Sequence, residues 1–197
     1  ELKEWHKRLF ALDNAGFEAL ALRVFRYQAE HNKVYKEYLG HHRIDITQVT
    51  QLHQIPFLPI ELFKSHQIVT GQGEPDVIFE SSRTTGQVPS QHLVLDAGLY
   101  HEIYVEGFRR AYGPIEDYCI LALLPSYLER GNSSLVYMAQ GLMSESKHPD
   151  NGFYLNNLEE LQQALKRLIA SGTPTLLLGV SFALLDLADD YPMPLGH

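Results

Sequence analysis

Residues 118–125 read Tyr-Cys-Ile-Leu-Ala-Leu-Leu-Pro, a strand-length run with no charge and no alternation of apolar and polar positions. A strand with one wet face alternates; an unbroken apolar run belongs to a strand covered on both faces, the normal state in parallel sheets. The segment TPTLLLG at 173–179 has the same character. Between them lies LEELQQALKRLIA, a helical pattern with Asn157 as its cap and Ser171-Gly172 as its close. Ser181 starts a further helix through Leu187. Strand, helix, strand, helix implies parallel pairing through right-handed crossovers. The expected class is therefore α/β, a mostly parallel sheet with flanking helices, with 118–124 and 175–180 as neighbours.

Upstream, Phe17, Leu20, Ala21, Val24, Phe25, Tyr35, Tyr38 and Leu39 recur at spacings of three and four. They predict an amphipathic helix broken near Asn32, capped by Asp13 or Asn14 and ended by Gly40. Pro56 and Pro59 make QIPFLPIELFKSH an extended linker leading to a short helix. Val77–Glu80 reads as a strand, and Asp96 opens a helix through Tyr100, Ile103, Gly107 and Phe108. The division expected from these patterns is a helical segment and linker over 1–70, then an α/β portion over 71–197.

Composition narrows the function classes. A net charge of −8 with no run of Lys and Arg argues against a nucleic-acid partner. No apolar run approaches the length of a membrane span, and no signal pattern opens the chain. One cysteine, Cys119, excludes a disulfide framework and fits a reducing cytoplasm. The start at Glu1 and the stop just after a helix, at YPMPLGH, read as the ends of a fragment.

After the strand at 77–80 the chain turns to Ser81, Ser82, Thr84, Thr85 and Gly86, with Arg83 among them. Small donors and a freely turning backbone are what a phosphate-binding loop needs. A surface turn uses the same residues, so both readings stand at this point. The Walker P-loop spacing is absent. The pattern resembles instead the phosphate loop of the adenylate-forming (acyl-activating) superfamily, with Arg83 in place of its first glycine and Ser90, followed by Gln91, in place of its lysine. Four further segments extend the resemblance: IPFLPIELFKSHQIVTG, FESSRTTGQVPSQH, DYCILALLPSYLERGNSSLVYM and LLLGVSFALLDLADDYP. Together, across nearly all of 17–192, they resemble the acyl-protein synthetase (LuxE-type) family. GVSFALLDLA also resembles the strand-to-helix turn beside the acyl pocket of phenylacetate–CoA ligases.

The resemblance implies the N-terminal part of the large domain of an adenylate-forming ligase. It implies ATP and Mg²⁺ as cofactors, a carboxylic acid (a fatty acid foremost) as substrate, and an acyl-accepting protein or thiol as partner. Ser81, Ser82, Arg83, Thr84, Thr85 and Gly86 would meet the β- and γ-phosphates, while Gly179, Ser181 and Phe182 would border the acyl group. The family's later Tyr-Gly-x-Thr-Glu-like segment is not in these residues, so the chain alone is expected to be inactive as a ligase. The alternative from another class is a non-catalytic domain that binds an acyl chain or a protein.

Other motifs have plainer readings. Gly179-Val180-Ser181-Phe182-Ala183 approaches the G-x-S-x-G nucleophile elbow of α/β-hydrolases. Asp186, five positions on, points to the opposite side of a helix from Ser181, and His197 is the only later histidine. A helix N-cap is the expected role for Ser181. Cys119, inside the apolar run, is expected to be buried and inert. The pair His41-His42 has no third ligand at fixed spacing, and the tyrosines at 27, 35 and 38 read as helix packing.

Overall fold

The computed structural model describes residues 9–12, 14–81, 89–124, 132–155 and 157–194. The chain forms two compact units, Glu1–Tyr100 and His101–His197.

The first unit opens with helices α1 (Asn14–His31) and α2 (Lys33–His41). The break between them is Asn32, whose side-chain oxygen accepts from the Tyr35 N–H at 3.0 Å and so caps α2. The buried stripe runs Leu22, Phe25, Ala29, Tyr35 and Leu39, joined by Val49. Phe17, which the periodicity put on that stripe, is 57% exposed. Leu20 and Leu22 are buried, so the covered stripe starts after Phe17. The linker folds as short 3-10 turns at Ile46–Gln48, Leu52–Gln54 and Ile60–Lys64. Tyr35 Oη anchors it by donating to the Pro56 carbonyl at 2.6 Å. Strands β1 (Val77–Glu80) and β2 (Gln91–Val94) then form an antiparallel pair, with Phe79 buried and in ring contact with Tyr100.

Helix α3 (Ala97–Tyr112) starts where Asp96 accepts from the Leu99 N–H at 2.9 Å. The second unit follows as β3 (Cys119–Leu123), α4 (Ser134–Ser146), β4 (Gly152–Tyr154), α5 (Leu158–Ser171), β5 (Thr175–Gly179) and α6 (Ser181–Asp190). Its sheet is parallel, in the order β4-β3-β5, with Cys119 opposite Thr175 and Leu123 opposite Gly179. The expected parallel neighbours are thus found, and the class is α/β with helices flanking a parallel sheet.

The faces of β3 explain its composition. Cys119, Leu121 and Leu123 pack with Leu161, Ala164, Leu165 and Leu168 of α5 and with Ala183 and Leu187 of α6. Ile120, Ala122 and Leu124 pack with α3 (Val105, Phe108) and α4 (Ala139, Leu142) on the other side. Every residue of β3 is fully enclosed, each aliphatic side chain contributing roughly 1.5–3 kcal/mol by leaving water. β5 has helices on both faces but only one strand neighbour among the described residues, and stays half-buried throughout.

Helix ends show why the segments stop where they do. Gly172 closes α5 at φ 67°, a left-handed conformation glycine adopts without strain. Asn157 holds the cap position of α5, yet its oxygen accepts from the Leu155 N–H behind it and its amide donates to Glu160. Asn151 secures the start of β3: its oxygen accepts from the Ile120 N–H at 2.7 Å and its amide donates to the Met143 carbonyl at 3.0 Å. No helix among the described residues is long and apolar enough to cross a membrane.

Candidate functional site

Two places carry the residues singled out from the sequence, one in each unit. The first is the β1–β2 hairpin. Its paired register runs from Val77 opposite Val94 to Glu80 opposite Gln91. Beyond that pair, the Ser81 N–H donates to the Ser90 carbonyl at 3.0 Å, and the Ser90 N–H donates to Ser81 Oγ at 3.0 Å. Gln91 Nε2 donates to Glu80 Oε1 across the strands at 3.2 Å. The hydroxyl-rich segment is thus the connection of a hairpin whose mouth Ser81 and Ser90 hold shut. Ser82, Arg83, Thr84, Thr85 and Gly86 lie outside the described residues. Ser90 stands where the resembled loop carries a lysine, and here its backbone completes the strand pair. Nothing in the sequence pointed to that pairing, because it depends on which strand returns beside β1.

The second place is the C-terminal end of β3 and β5. The helix that follows β3, α4, packs on the face of Ile120 and Ala122; α6, which follows β5, packs on the face of Leu121 and Leu123. Neighbouring parallel strands whose continuations leave to opposite faces open a crevice at their carboxyl ends, the usual ligand position in open α/β sheets. Gly179 ends β5 there, and Ser181 and Phe182 begin α6.

Each of these three residues has a local explanation as well. A Cβ on Gly179 would lie 2.7 Å from Leu184 Cδ2 and 2.8 Å from its Cγ, so the glycine lets α6 fold back tightly. Ser181 is the first residue of α6, while Val180 takes the cap position without a side-chain bond. That corrects the N-cap expectation: the helix starts one residue earlier than a serine cap requires, leaving Val180 alone between β5 and α6. Phe182 is 82% exposed, an apolar ring held in water at the start of α6. None of the described histidines hydrogen-bonds Ser181, Asp186 is exposed on α6, and His197 lies outside the described residues.

The remaining candidates fall into packing roles. Cys119 is fully enclosed, and burial, with Asp150 as a smaller influence, pushes its thiol up to about 11, so it stays protonated and unreactive at neutral pH. Tyr35 is pushed up to about 12, chiefly by burial and then by Tyr38. Tyr27 stacks on His31 and Tyr38 on Tyr35. His41 ends α2, and His42 forms its C-cap. The described residues contain no group of three His, Cys, Asp or Glu side chains able to hold a metal. One polar constellation escaped the sequence reading: Glu145, His101 and Tyr104, brought together from α4 and α3.

No family model, no curated protein and no solved structure matches the chain.

Proposed function

We propose that the protein takes part in ATP-dependent activation of a carboxylic acid, of the fatty-acid class, and in transfer of the acyl group to a protein thiol. This is the activity of the acyl-protein synthetase (LuxE-type) family, whose large domain its segments resemble. The observation that carries the reading is the hairpin: a Ser/Thr/Gly-rich connection anchored at its base by the reciprocal Ser81–Ser90 bonds. A paired base beneath small hydroxyl donors suits phosphate recognition, because every residue already fixed at the base is one the anion need not order. Support from a different direction comes from Gly179, Ser181 and Phe182 at the carboxyl ends of the parallel strands, where α/β sheets receive ligands.

The chemistry has two displacements. A carboxylate oxygen attacks the α-phosphorus of ATP, the bond to the bridging oxygen breaks, and pyrophosphate leaves. A thiolate then attacks the acyl carbonyl, and AMP leaves. Ser81, Ser82, Thr84 and Thr85 would donate to the β- and γ-phosphates, Gly86 would let the backbone approach, and Arg83 would supply the cation that a lysine supplies elsewhere. Phe182 would give the acyl chain an apolar neighbour. The described residues offer no ready metal cluster, and Mg²⁺ enters this scheme only as the counter-ion ATP carries.

The test is carboxylate-dependent exchange of labelled pyrophosphate into ATP, with hydroxylamine trapping of the acyl-adenylate. A protein that joins this chain to an adenine-framing segment is expected to exchange, and the 197 residues alone are expected not to. Triphosphate binding without exchange in the joined protein would favour the non-catalytic acyl- or protein-binding domain instead.

A further inference from the structure

Glu145, His101 and Tyr104 form a hydrogen-bonded row in the second unit. His101 Nε2 lies 3.1 Å from Glu145 Oε1, and His101 Nδ1 lies 2.5 Å from Tyr104 Oη. As a carboxylate, Glu145 can only accept, so the proton of the neutral ring sits on Nε2 and Nδ1 is left as the acceptor. Tyr104 therefore donates its hydroxyl proton to His101. A nucleophile bonded to a base, with the base oriented by a third group, is the arrangement that activates weak nucleophiles, tyrosine included.

The neighbouring helix is shaped around that hydroxyl. A Cβ built on Gly141 would lie 1.8 Å from Tyr104 Oη and 2.8 Å from Cζ. Glycine is a poor residue inside a helix, and at this turn of α4 its missing side chain is the space the phenol oxygen occupies. The His101 and Glu145 side chains are 38% and 35% exposed, and Tyr104 is half-buried against the apolar cluster beside them.

We propose that Tyr104 is an activated phenol that accepts acyl groups from activated esters, with His101 as its general base and Glu145 as the positioning residue. The phenol proton passes to His101 Nδ1, Oη bonds the acyl carbon, the leaving alkoxide or phenoxide departs with its electron pair, and the imidazolium returns its proton to solvent. The inference does not depend on the phosphate hairpin or on any adenylate.

The experiment treats the 197-residue chain with p-nitrophenyl acetate and maps acetylated peptides over time. Tyr112, at the end of the same helix and 59% exposed, is the internal reference. Tyr104 is expected to be acetylated at least about tenfold faster than Tyr112, and His101→Ala to slow it about a hundredfold, the lower range for general-base catalysis. Added imidazole should restore the rate in His101→Ala. Gly141→Ala should bring Tyr104 down to the rate of Tyr112, and Glu145→Gln should slow it while Glu145→Asp recovers part of the loss. Equal rates at Tyr104 and Tyr112 in the parent chain would overturn the proposal, whatever the variants do. So would a His101→Ala chain of unchanged unfolding midpoint that acetylates Tyr104 at the parent rate.

Discussion

β1 and β3 are both short strands of largely apolar sequence, yet β3 is enclosed at all five positions while β1 encloses only Phe79. The difference lies in what surrounds them. β3 has a parallel strand on each side and helices on both faces; β1 has a single antiparallel partner, β2, among the described residues. A strand in the first setting is a structural centre, where any lost volume is felt. A strand in the second is an anchor, tied to one partner and partly open to water. Core and anchor should therefore respond differently to the same kind of change.

The largest contrast is expected from truncation. Leu121→Ala removes a fully enclosed side chain and should cost about 2–5 kcal/mol. Ile78→Ala, half-buried in β1, should cost about 1–2 kcal/mol, since part of that side chain is already in water. Urea unfolding, with amide exchange to assign each loss to its own unit, measures both. Similar losses at the two sites would break the distinction.

Alkali should separate the units next. Cys119 ionises at its ordinary value of 9.0 in the unfolded chain but only at about 11 when folded. For Tyr35 the corresponding values are 10.0 and about 12. Because the folded values are the higher ones, the stability they represent is whole below the unfolded value and is lost as pH climbs through the folded one. The second unit should thus weaken from pH 9 to 11 and the first from pH 10 to 12. Each loss is on the order of 2–3 kcal/mol. Cys119→Ala should flatten the first of these windows; an unchanged alkaline slope in that variant would count against the enclosed, neutral thiol.

A smaller effect is expected at the hairpin mouth. Ser81→Ala deletes the acceptor of the Ser90 N–H at an exposed position and should cost about 0.5–1.5 kcal/mol. Exchange at Ser90 should quicken while β3 amides stay unchanged. If β3 responds equally, the hairpin is not the separable anchor described here.

How much of this was legible in the sequence follows the same division. The β3–β5 pairing could be read from 118–125 and 173–179 because burial on two faces leaves an unmistakable unalternating run. That β5 has one strand neighbour among the described residues could not be read, since its side chains report the covered faces and not the number of strand neighbours. α4 and β4 were missed: β4 spans three residues, too few for any period, and α4 carries small and polar residues around Gly141 that blur its stripe. Asn157 and Ser181 were assigned to caps from residue type, whereas the side chain of one turns backwards and the other enters the helix. The resemblance singled out Gly179, Ser181 and Phe182, and the structure puts them where β5 ends and α6 begins. The hydrogen bonds of Ser90 and Glu145 could not be read, because their partners are distant in sequence and come together only through strand and helix pairing.

The central claim is that the hairpin presents a phosphate-binding loop, and a titration of the chain with ATP tests it most directly, followed at low salt through the amide resonances of Ser81 and Ser90 and repeated with Arg83→Ala and Arg83→Gly. Saturable shifts at Ser81 and Ser90 are predicted. Arg83→Ala should weaken binding by about 1.5–3 kcal/mol, roughly 10- to 150-fold, the worth of a charge-assisted contact. Arg83→Gly should weaken it less, because glycine relieves any strain at that position. Shifts that never saturate, or tighter binding by Arg83→Gly than by the parent, would contradict the account.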